Sequence, residues 1–186
     1  MFKIIRKILI LSILCIYPFS NLYADKKIIE SLKQGEKIIF IRHAIAPGSG
    51  DPENFSIDKC ETQRNLSKEG IEQSKNIGSF FSRNKIPIDK VLSSEWCRCK
   101  DTAKYAFKKH ETFDALNSFF SSRFHHNKKS QMNNLFKYLN NWDGKKNLVL
   151  VTHYVVILET LDKAVSSGEI IVTDKNLKLI GSISNY

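Results

Sequence analysis

Four side chains that suit the handling of a phosphoryl group each follow a short predicted strand. These side chains are Arg42, His43, Arg98 and His153. The planar guanidinium of arginine can donate two parallel hydrogen bonds to two oxygens of one phosphate group. A neutral imidazole can attack phosphorus and carry a covalent intermediate, and a second imidazole, if protonated, would share the negative charge of the transferring group. Two arginines and two histidines that met in space would form a pocket for a dianionic phosphoryl group, with no metal ion needed to neutralise it.

The segments before these residues are predicted to be strands of one sheet. Residues 37–41 and 148–151 are compact apolar runs typical of buried strands, and residues 89–93 are predicted to be another short strand. Predicted helices separate them. Buried strands that alternate with helices favour a three-layer α/β/α sandwich around a mostly parallel central sheet. Ligands of such sheets bind beyond the carboxyl ends of the strands, so we expect the four side chains to meet there.

Apolar spacing and turn residues predict the remaining elements. Ser67 is the predicted N-cap of a helix that continues to Lys85 and ends before Pro87. Residues 46–62 are rich in Pro, Gly, Asp and Asn, and a loop of that length in a compact domain is usually functional. We expect further helices at 28–34, 99–107, 130–142 and 155–163, a short strand at 112–114, and a hairpin formed by 169–173 and 177–183.

The N-terminal residues 1–24 are predicted to be a secretory signal peptide. Basic residues precede an apolar run at 8–17, and cleavage after Ala24 would leave a single domain of residues 25–186. The mature protein would be periplasmic or secreted, without stable insertion in the membrane. Its partner would be a phosphorylated small molecule or an envelope component, and its oligomeric state is left open. An uncleaved anchor is the alternative, although the run is short for a span of roughly 20 residues.

The composition is that of one basic globular domain. The chain has 186 residues, of which 42% are hydrophobic, and a formal net charge of +10 at pH 7. It is too apolar for a disordered chain, and its low glycine and proline contents exclude collagen-like and low-complexity classes. No apolar run approaches roughly 20 residues, which excludes a multi-pass membrane protein. The lysines occur in scattered pairs, without zinc-finger spacing or an RNP-like aromatic run, so we expect solvated basic surfaces and no nucleic-acid partner.

Three cysteines would remain after cleavage: Cys60, Cys97 and Cys99. Export makes a disulfide plausible, and cysteines two residues apart are poorly placed to pair with each other. We therefore expect Cys60 to pair with Cys97 or with Cys99, which leaves one thiol. Three reduced thiols are the alternative. No histidine lies at ligand spacing from these cysteines, so no metal site is predicted.

Four segments of the chain resemble the signature segments of the histidine phosphatase superfamily, the phosphoglycerate-mutase-like enzymes. Phe40–Ala44 resembles the Arg-His-Gly signature, and Val149–His153 resembles the strand that delivers the second histidine. Asn65–Gln73 resembles the helix start L-S/T-x-x-G-x-x-Q, and Ser93–Ala103 resembles the segment S-S-x-x-x-R-x-x-x-T-A. The segments occur in the family's order and span roughly residues 36–160. The closer resemblance is to small exported members, including the lipopolysaccharide-core heptose phosphatases.

The resemblance implies a phosphoglycerate-mutase-like fold and a role for each of the four side chains. His43 would be the nucleophile that becomes phosphohistidine, Arg42 and Arg98 would clamp the phosphoryl oxygens, and His153 would complete the substrate pocket. Water would then hydrolyse the phosphoenzyme. The implied activity is that of an exported phosphatase, independent of metals and cofactors, acting on a phosphomonoester or a similar phosphoryl compound. Positioning and electrostatic stabilisation would supply the catalysis.

Three positions depart from the family pattern. Ala44 replaces the signature glycine, Ser118 stands where the mutase-like branch has a glutamate after Leu-Asn, and Tyr154 stands where the acid-phosphatase branch has an aspartate. The last two positions hold the proton donor in those branches. Either the leaving group needs no donor, or a carboxyl in the loop after His43 serves. The candidates in that loop are Asp51, Glu53 and Asp58.

Two other functions compete with the phosphatase hypothesis. A protein that kept the pocket but lost the acid would be a non-catalytic phosphate- or phosphosugar-binding protein. A basic structural protein of the envelope would neither bind phosphate nor turn it over.

Several other side chains have a structural and a functional interpretation. The neighbours His125 and His126 lack metal-ligand spacing and are predicted to be a solvent-exposed pair. Trp96 would either wall the active site or fill the core. Phe119, Phe120 and Phe124 are predicted to belong to the core or to line the pocket.

Overall fold

The computed structural model describes residues 17–186, with side chains from residue 25 onward. Six strands in this part of the chain form one sheet, whose spatial order is 3-2-4-1-5-6. Strands 1, 2, 3 and 4 run parallel to one another, whereas strand 5 pairs antiparallel with strand 1 and strand 6 pairs antiparallel with strand 5. The predicted mostly parallel sheet is confirmed. The strands are β1 (Ile38–Arg42), β2 (Ile88–Ser93), β3 (Glu111–Thr112), β4 (Asn147–Thr152), β5 (Ile170–Thr173) and β6 (Leu179–Ile183).

Helices connect and cover the strands. Their capping follows the sequence: the Ser67 hydroxyl accepts the N–H of Gly70 at 3.2 Å and begins a helix at Lys68, as predicted. Within the described residues the α-helices are α1 (Tyr17–Lys33), α2 (Lys68–Arg83), α3 (Cys97–Phe107), α4 (Ser122–His125), α5 (Lys128–Asn141) and α6 (Tyr154–Leu161). Two short 3₁₀ turns, Cys60–Thr62 and Asp114–Leu116, lie in the loops.

The sheet separates two hydrophobic cores, which makes the fold a three-layer α/β/α sandwich. Ile39 and Ile41 of β1 pack with apolar residues of α1, α2 and α3 on one face. Their neighbours Ile38 and Phe40 pack with residues of α5 and α6 on the other face. Successive side chains of a strand point to opposite faces, so a strand that is buried on both sides reads as a continuous apolar run. The predicted fold class is thus confirmed.

Four helices begin earlier than predicted, α5 by two residues and α6 by one, and the short α4 was not predicted. The helix expected to begin at Cys99 begins at Cys97, because the side-chain oxygen of Gln63 accepts the N–H of Cys97 at 2.9 Å and supplies a partner for the first helical N–H. This partner comes from a distant loop and leaves no sign in the local sequence. The helix expected at 28–34 is α1, which begins at Tyr17.

The predicted signal peptide lies largely outside the described residues. Its basic segment and nearly all of its apolar run fall within residues 1–16, and only its last part overlaps α1. Cleavage after Ala24 therefore stays a prediction. Among the helices that the structure describes, none has the length and apolar content needed to cross a membrane.

Candidate active site

Two neighbouring parallel strands bring both histidines to one edge of the sheet. β1 and β4 pair with Arg42 opposite Thr152, so His43 and His153 are each the first residue after a strand. The N–H of His43 donates to the Thr152 carbonyl at 2.9 Å and continues the ladder. The imidazole centroids lie 5.5 Å apart, edge to face, and each histidine is only 3% exposed. The two rings thus lie side by side beyond the carboxyl ends of the strands.

Hydrogen bonding fixes the tautomer of the His43 ring. Its Nδ1 lies 2.8 Å from the carbonyl oxygen of Ala44. A carbonyl oxygen can only accept, so Nδ1 carries the proton and Nε2 of the neutral ring keeps its lone pair. Burial, followed by the positive charge of Arg98, lowers the pKa of His43 well below its ordinary value. The ring is therefore neutral at neutral pH, with Nε2 as its nucleophilic atom.

A threonine of α3 holds the residue that follows His43. The N–H of Ala44 donates to Thr102 Oγ1 at 3.0 Å, and this hydroxyl donates to the carbonyl of Arg98 at 2.7 Å. The arginine and threonine of the S-S-x-x-x-R-x-x-x-T-A segment are thereby tied to the first histidine. The backbone of Ala44 has no positive φ, so alanine stands without strain at the position where the resembled signature has glycine.

The glycine and glutamine of α2 position the next part of the same turn. Gln73 accepts the N–H of Ile45 at 3.0 Å and donates to the carbonyl of Ser167 at 2.9 Å, which joins two loops of the site. A Cβ atom at Gly70 would lie 2.0 Å from the Ile45 carbonyl oxygen, so only glycine permits this approach. The L-S/T-x-x-G-x-x-Q motif therefore fixes the backbone beyond the first histidine.

A chain of polar side chains orients the His153 ring. The amide of Asn117 donates to the Glu95 carboxylate at 2.7 Å and accepts the Glu95 N–H at 2.9 Å, so its oxygen faces the Ser94 hydroxyl at 3.0 Å. That hydroxyl donates to Asn117, and His153 Nε2, 2.8 Å away, must donate to Ser94. Burial, then the charge of Arg98, lowers the pKa of His153 well below its ordinary value. The second imidazole is therefore neutral before an anion binds.

The two predicted arginines line the same cavity as the histidines and have donors to spare. Arg42 donates from Nη1 to the Val165 carbonyl at 2.9 Å, and its guanidinium lies over the Tyr154 ring, 5.6 Å from the centroid. Arg98 is 3% exposed and pairs with Asp51. The Nε atoms of both arginines are buried and have no acceptor among the described residues. Buried unpaired donors are costly, and an anion bound beside them would supply the missing acceptors.

The sequence reasoning missed two further guanidinium groups of the cavity, that of the exposed Arg123 and that of Arg64. Arg64 is half-buried, lines the cavity, and donates to the carbonyl of Gly50 at 2.8 Å and to the carbonyl of Ala46. Burial, then the neighbouring charge of Arg98, lowers its pKa, as expected of cations gathered in one place. The available signal for Arg64 was its position in the sequence: it is a basic residue two positions after the loop 46–62, which was predicted to be functional.

The cavity has a volume of about 190 Å³ and one aromatic wall. Phe55 stacks on Trp96 with centroids 5.1 Å apart, and Phe124 packs edge to face against both at 5.4 Å. Trp96 is 4% exposed, so it both walls the cavity and fills space beneath it. Phe120 lines the mouth and is 62% exposed, whereas Phe119 belongs to the core.

Among the described residues, Asp51 is the one carboxylate that lines the cavity. The other two loop candidates, Glu53 and Asp58, are exposed and lie outside it. Ser118 and Tyr154, the two positions where the sequence resemblance led us to expect an acid, both line the cavity. The cavity therefore offers hydroxyl groups and one carboxylate, which is paired with Arg98.

The other predicted polar candidates lie elsewhere. His125 and His126 are exposed, as predicted, and lie near Lys128 and Glu159 in a separate surface depression. No group of three or more His, Cys, Asp or Glu side chains in the described part of the chain is arranged to hold a metal ion.

Cys60 and Cys97 form a disulfide, with Cα atoms 5.7 Å apart. The structure thus selects one of the two predicted pairings and joins the loop to the first residue of α3, next to Arg98. Cys99 remains a thiol in the described part of the chain, and its sulfur lies 3.5 Å from His153 Nε2. Burial raises the pKa of Cys99 to about 12, so the thiol stays protonated and unreactive and packs in the core.

Similar folds occur among solved structures. The protein histidine phosphatase SixA, solved in complex with tungstate, aligns over 81% of this chain and 94% of its own with a TM-score of 0.54 and 14% identity. A phosphoglycerate mutase from Thermus thermophilus aligns over 81% of this chain and 99% of its own with a TM-score of 0.56 and 14% identity. The chain therefore has the phosphoglycerate-mutase-like fold, as the sequence predicted. No protein-family model matches the sequence, and no curated protein matches it.

Proposed function

We propose that this protein is an exported phosphatase of the histidine phosphatase superfamily that works through a covalent phosphohistidine at His43. The observation that carries the proposal is the state of that ring: it is neutral, with Nδ1–H bound to the Ala44 carbonyl, in a cavity lined by four guanidinium groups. A nucleophilic nitrogen surrounded by fixed cations suits attack on a phosphoryl dianion.

The reaction has two steps. Nε2 of His43 attacks phosphorus while the bond from phosphorus to the leaving-group oxygen breaks, and the leaving group takes that electron pair. Arg42, Arg98 and Arg64 stabilise the transferring group, whose charge lies on its oxygens. Water then attacks the phosphohistidine, the P–N bond breaks, and Nε2 regains its lone pair. The water proton passes to solvent, and inorganic phosphate leaves.

The substrate is a phosphomonoester or a similar phosphoryl compound of the cell envelope. The resemblance to heptose phosphatases favours a phosphosugar, and the fold shared with SixA, a protein histidine phosphatase, adds phosphohistidine side chains as a second candidate. Export is supported by the N-terminal sequence and by the Cys60–Cys97 disulfide, which is typical of oxidising compartments. A periplasmic fraction should contain a protein whose first residue is Asp25.

Turnover of 4-nitrophenyl phosphate by the purified mature protein tests the activity. We expect His43→Ala to lower kcat by at least ~10³, since removing a nucleophile removes the covalent route. The matched control is His125→Ala, which removes an exposed histidine that does not line the cavity. Denaturing the wild-type protein during turnover should trap an acid-labile phosphoenzyme. Equal rates for wild type and His43→Ala would refute the proposal.

A non-catalytic phosphate-binding protein is the second candidate, because Asp51 is engaged by Arg98 and the cavity offers no other carboxylate among the described residues. It predicts saturable binding of inorganic phosphate, measured by calorimetry, with no product release from any phosphorylated compound.

A further inference from the structure

Asp51 occupies a defined part of the Arg98 guanidinium and leaves another part free. Its carboxylate accepts from Nη1 at 2.7 Å and from Nη2 at 3.2 Å, which is the end-on arrangement of a fork and a carboxylate. The Arg64 carbonyl accepts the second proton of Nη1 at 3.3 Å. Three of the five N–H donors of a guanidinium are thereby used.

The two remaining donors of Arg98 lie on one edge of its guanidinium. They are the Nε–H, which is buried and has no acceptor among the described residues, and the second proton of Nη2. These two N–H bonds point in nearly parallel directions, so together they form a second fork suited to two oxygens of one phosphoryl group. The carboxylate of Asp51 therefore occupies a different edge of Arg98 from the one that is left for an anion.

The Asp51 carboxylate is itself held by several donors. Besides Arg98, it accepts the indole N–H of Trp96 at 3.0 Å and the backbone N–H of Arg64 at 3.1 Å. Its side chain is 12% exposed. The loop that carries it is joined to the first residue of α3 by the Cys60–Cys97 disulfide. Asp51 therefore has little freedom to move, and its two hydrogen bonds to Arg98 hold the guanidinium in one orientation.

We propose that Asp51 is a positioning residue for phosphoryl transfer, which holds Arg98 end-on so that its Nε–Nη2 edge is presented to the phosphoryl group. The inference rests on the proposed function. It excludes two other roles for the same carboxylate. A proton donor would act on the leaving group, and a competitor would occupy the place of the phosphate until substrate displaced it.

The three roles differ in the response to Asp51→Asn. The amide keeps the shape of the side chain but places an NH₂ against the N–H donors of Arg98 or Trp96, so the guanidinium loses its end-on partner. A positioning role predicts that kcat/KM falls at least tenfold, by the same factor for 4-nitrophenyl phosphate and for an alkyl phosphate. A donor role predicts a loss confined to the alkyl phosphate, whose leaving group is more basic. A competitor role predicts a rise in kcat/KM.

Binding of inorganic phosphate gives a readout that needs no turnover. Removing a negative charge would by itself tighten phosphate binding, whereas losing the Arg98 edge would weaken it. Because charge-assisted hydrogen bonds are the stronger contribution at a buried site, we expect Asp51→Asn to raise the phosphate dissociation constant about fivefold. Tighter binding would overturn the proposal.

A double-mutant cycle shows whether Asp51 acts through Arg98. With Arg98→Lys already in place there is no fork to orient, so adding Asp51→Asn should change phosphate affinity and kcat/KM by less than about twofold. Additive losses would contradict the proposal. The control is Asp58→Asn, which neutralises an exposed carboxylate of the same loop and should match the wild type.

Two further measurements keep the outcomes distinct. If Asp51→Asn does not fold, Trp96→Phe is the substitute, since it removes one donor to the carboxylate and leaves the ion pair; we expect a loss of about twofold to fivefold. A wild type that binds phosphate without turnover, with the binding cycle as expected, would end the proposed function and keep the role of Asp51. Normal wild-type turnover that Asp51→Asn does not impair would end the role of Asp51 alone.

Discussion

The two regions that form the cavity are positioned in different ways. The sheet-edge group consists of Arg42, His43 and His153. Arg42 is the last residue of β1, and the two histidines directly follow β1 and β4, so the backbone hydrogen bonds of the sheet fix their positions. The cavity loop, residues 46–64, contains one short 3₁₀ turn and no strand. Side chains hold this loop instead. Thr62 Oγ1 accepts the N–H of Ser56 at 2.9 Å, Gln63 donates to the Ser56 carbonyl at 2.9 Å, and a disulfide joins the loop to α3.

The two ways of holding side chains correspond to two proposed roles. The sheet-edge group supplies the atoms proposed to react, and a regular ladder suits them because small errors in their positions are costly. The cavity loop supplies Asp51, Arg64 and Phe55, which line the cavity around the proposed reacting atoms. Arg98 belongs to neither region, since α3 carries it, but the loop holds its guanidinium through Asp51.

The largest expected effect is a difference in kcat/KM between variants of two arginines, Arg98 on α3 and Arg64 in the cavity loop. We expect Arg98→Ala to lower kcat/KM for 4-nitrophenyl phosphate by ~10²–10³, the cost of removing a preorganised donor. Arg64→Ala should cost only about tenfold, because its guanidinium already donates to the Gly50 and Ala46 carbonyls. Steady-state kinetics of the two variants decide this. Equal losses would show that the loop belongs to the catalytic group.

Loss of the disulfide should loosen the cavity loop and spare the sheet edge. The bridge closes a segment with a sequence separation of 37, so Cys60→Ser combined with Cys97→Ser should lower the free energy of unfolding by about 3–4 kcal/mol. Urea unfolding of the oxidised wild type and the double variant measures this. A reductant should destabilise the wild type and leave the double variant unchanged. Equal stability of the two proteins would contradict the prediction.

We expect a fall in pH to lower the free energy of unfolding through the two buried histidines of the sheet edge. Burial lowers the pKa of both His43 and His153 in the folded protein, so below about pH 6.5 the unfolded chain binds protons that the folded chain does not. Stability is therefore present above that pH and is lost as the pH falls, by up to about 1.4 kcal/mol per pH unit for each histidine.

Urea unfolding at pH 7.5 and 5.5 measures this loss. His153→Gln should reduce the dependence on pH, whereas the exposed-residue change His125→Gln should not. A dependence that survives the replacement of both buried histidines would assign it to other groups.

The sequence predicted the strands, most of the helices and the meeting of four side chains, because local patterns mark the elements and the parallel order of the strands brings their ends together. Apolar runs such as 148–151 mark strands that are buried on both faces, Ser67 marks a helix start, and parallel strands must end at one edge. Most of the residues that the sequence reasoning missed or left open lie in the cavity loop. The sequence reasoning missed that Arg64 lines the cavity and that Asp51 pairs with Arg98, and it left open which cysteine pairs with Cys60. Each of these contacts joins positions that lie tens of residues apart in the chain.

The sequence by itself determined the layered fold, the carboxyl-end location of the site and the types of side chain gathered there. Only the tertiary structure decided the proton positions on the two rings, because hydrogen bonds to Ala44 and Ser94 select the tautomers. It also decided which edge of Arg98 stays free, since that depends on a carboxylate 47 residues earlier in the chain. The spacing of apolar residues along the chain indicates which faces of the helices and strands are buried. Distances between side chains of separate elements depend on how those elements pack, and no local pattern encodes them.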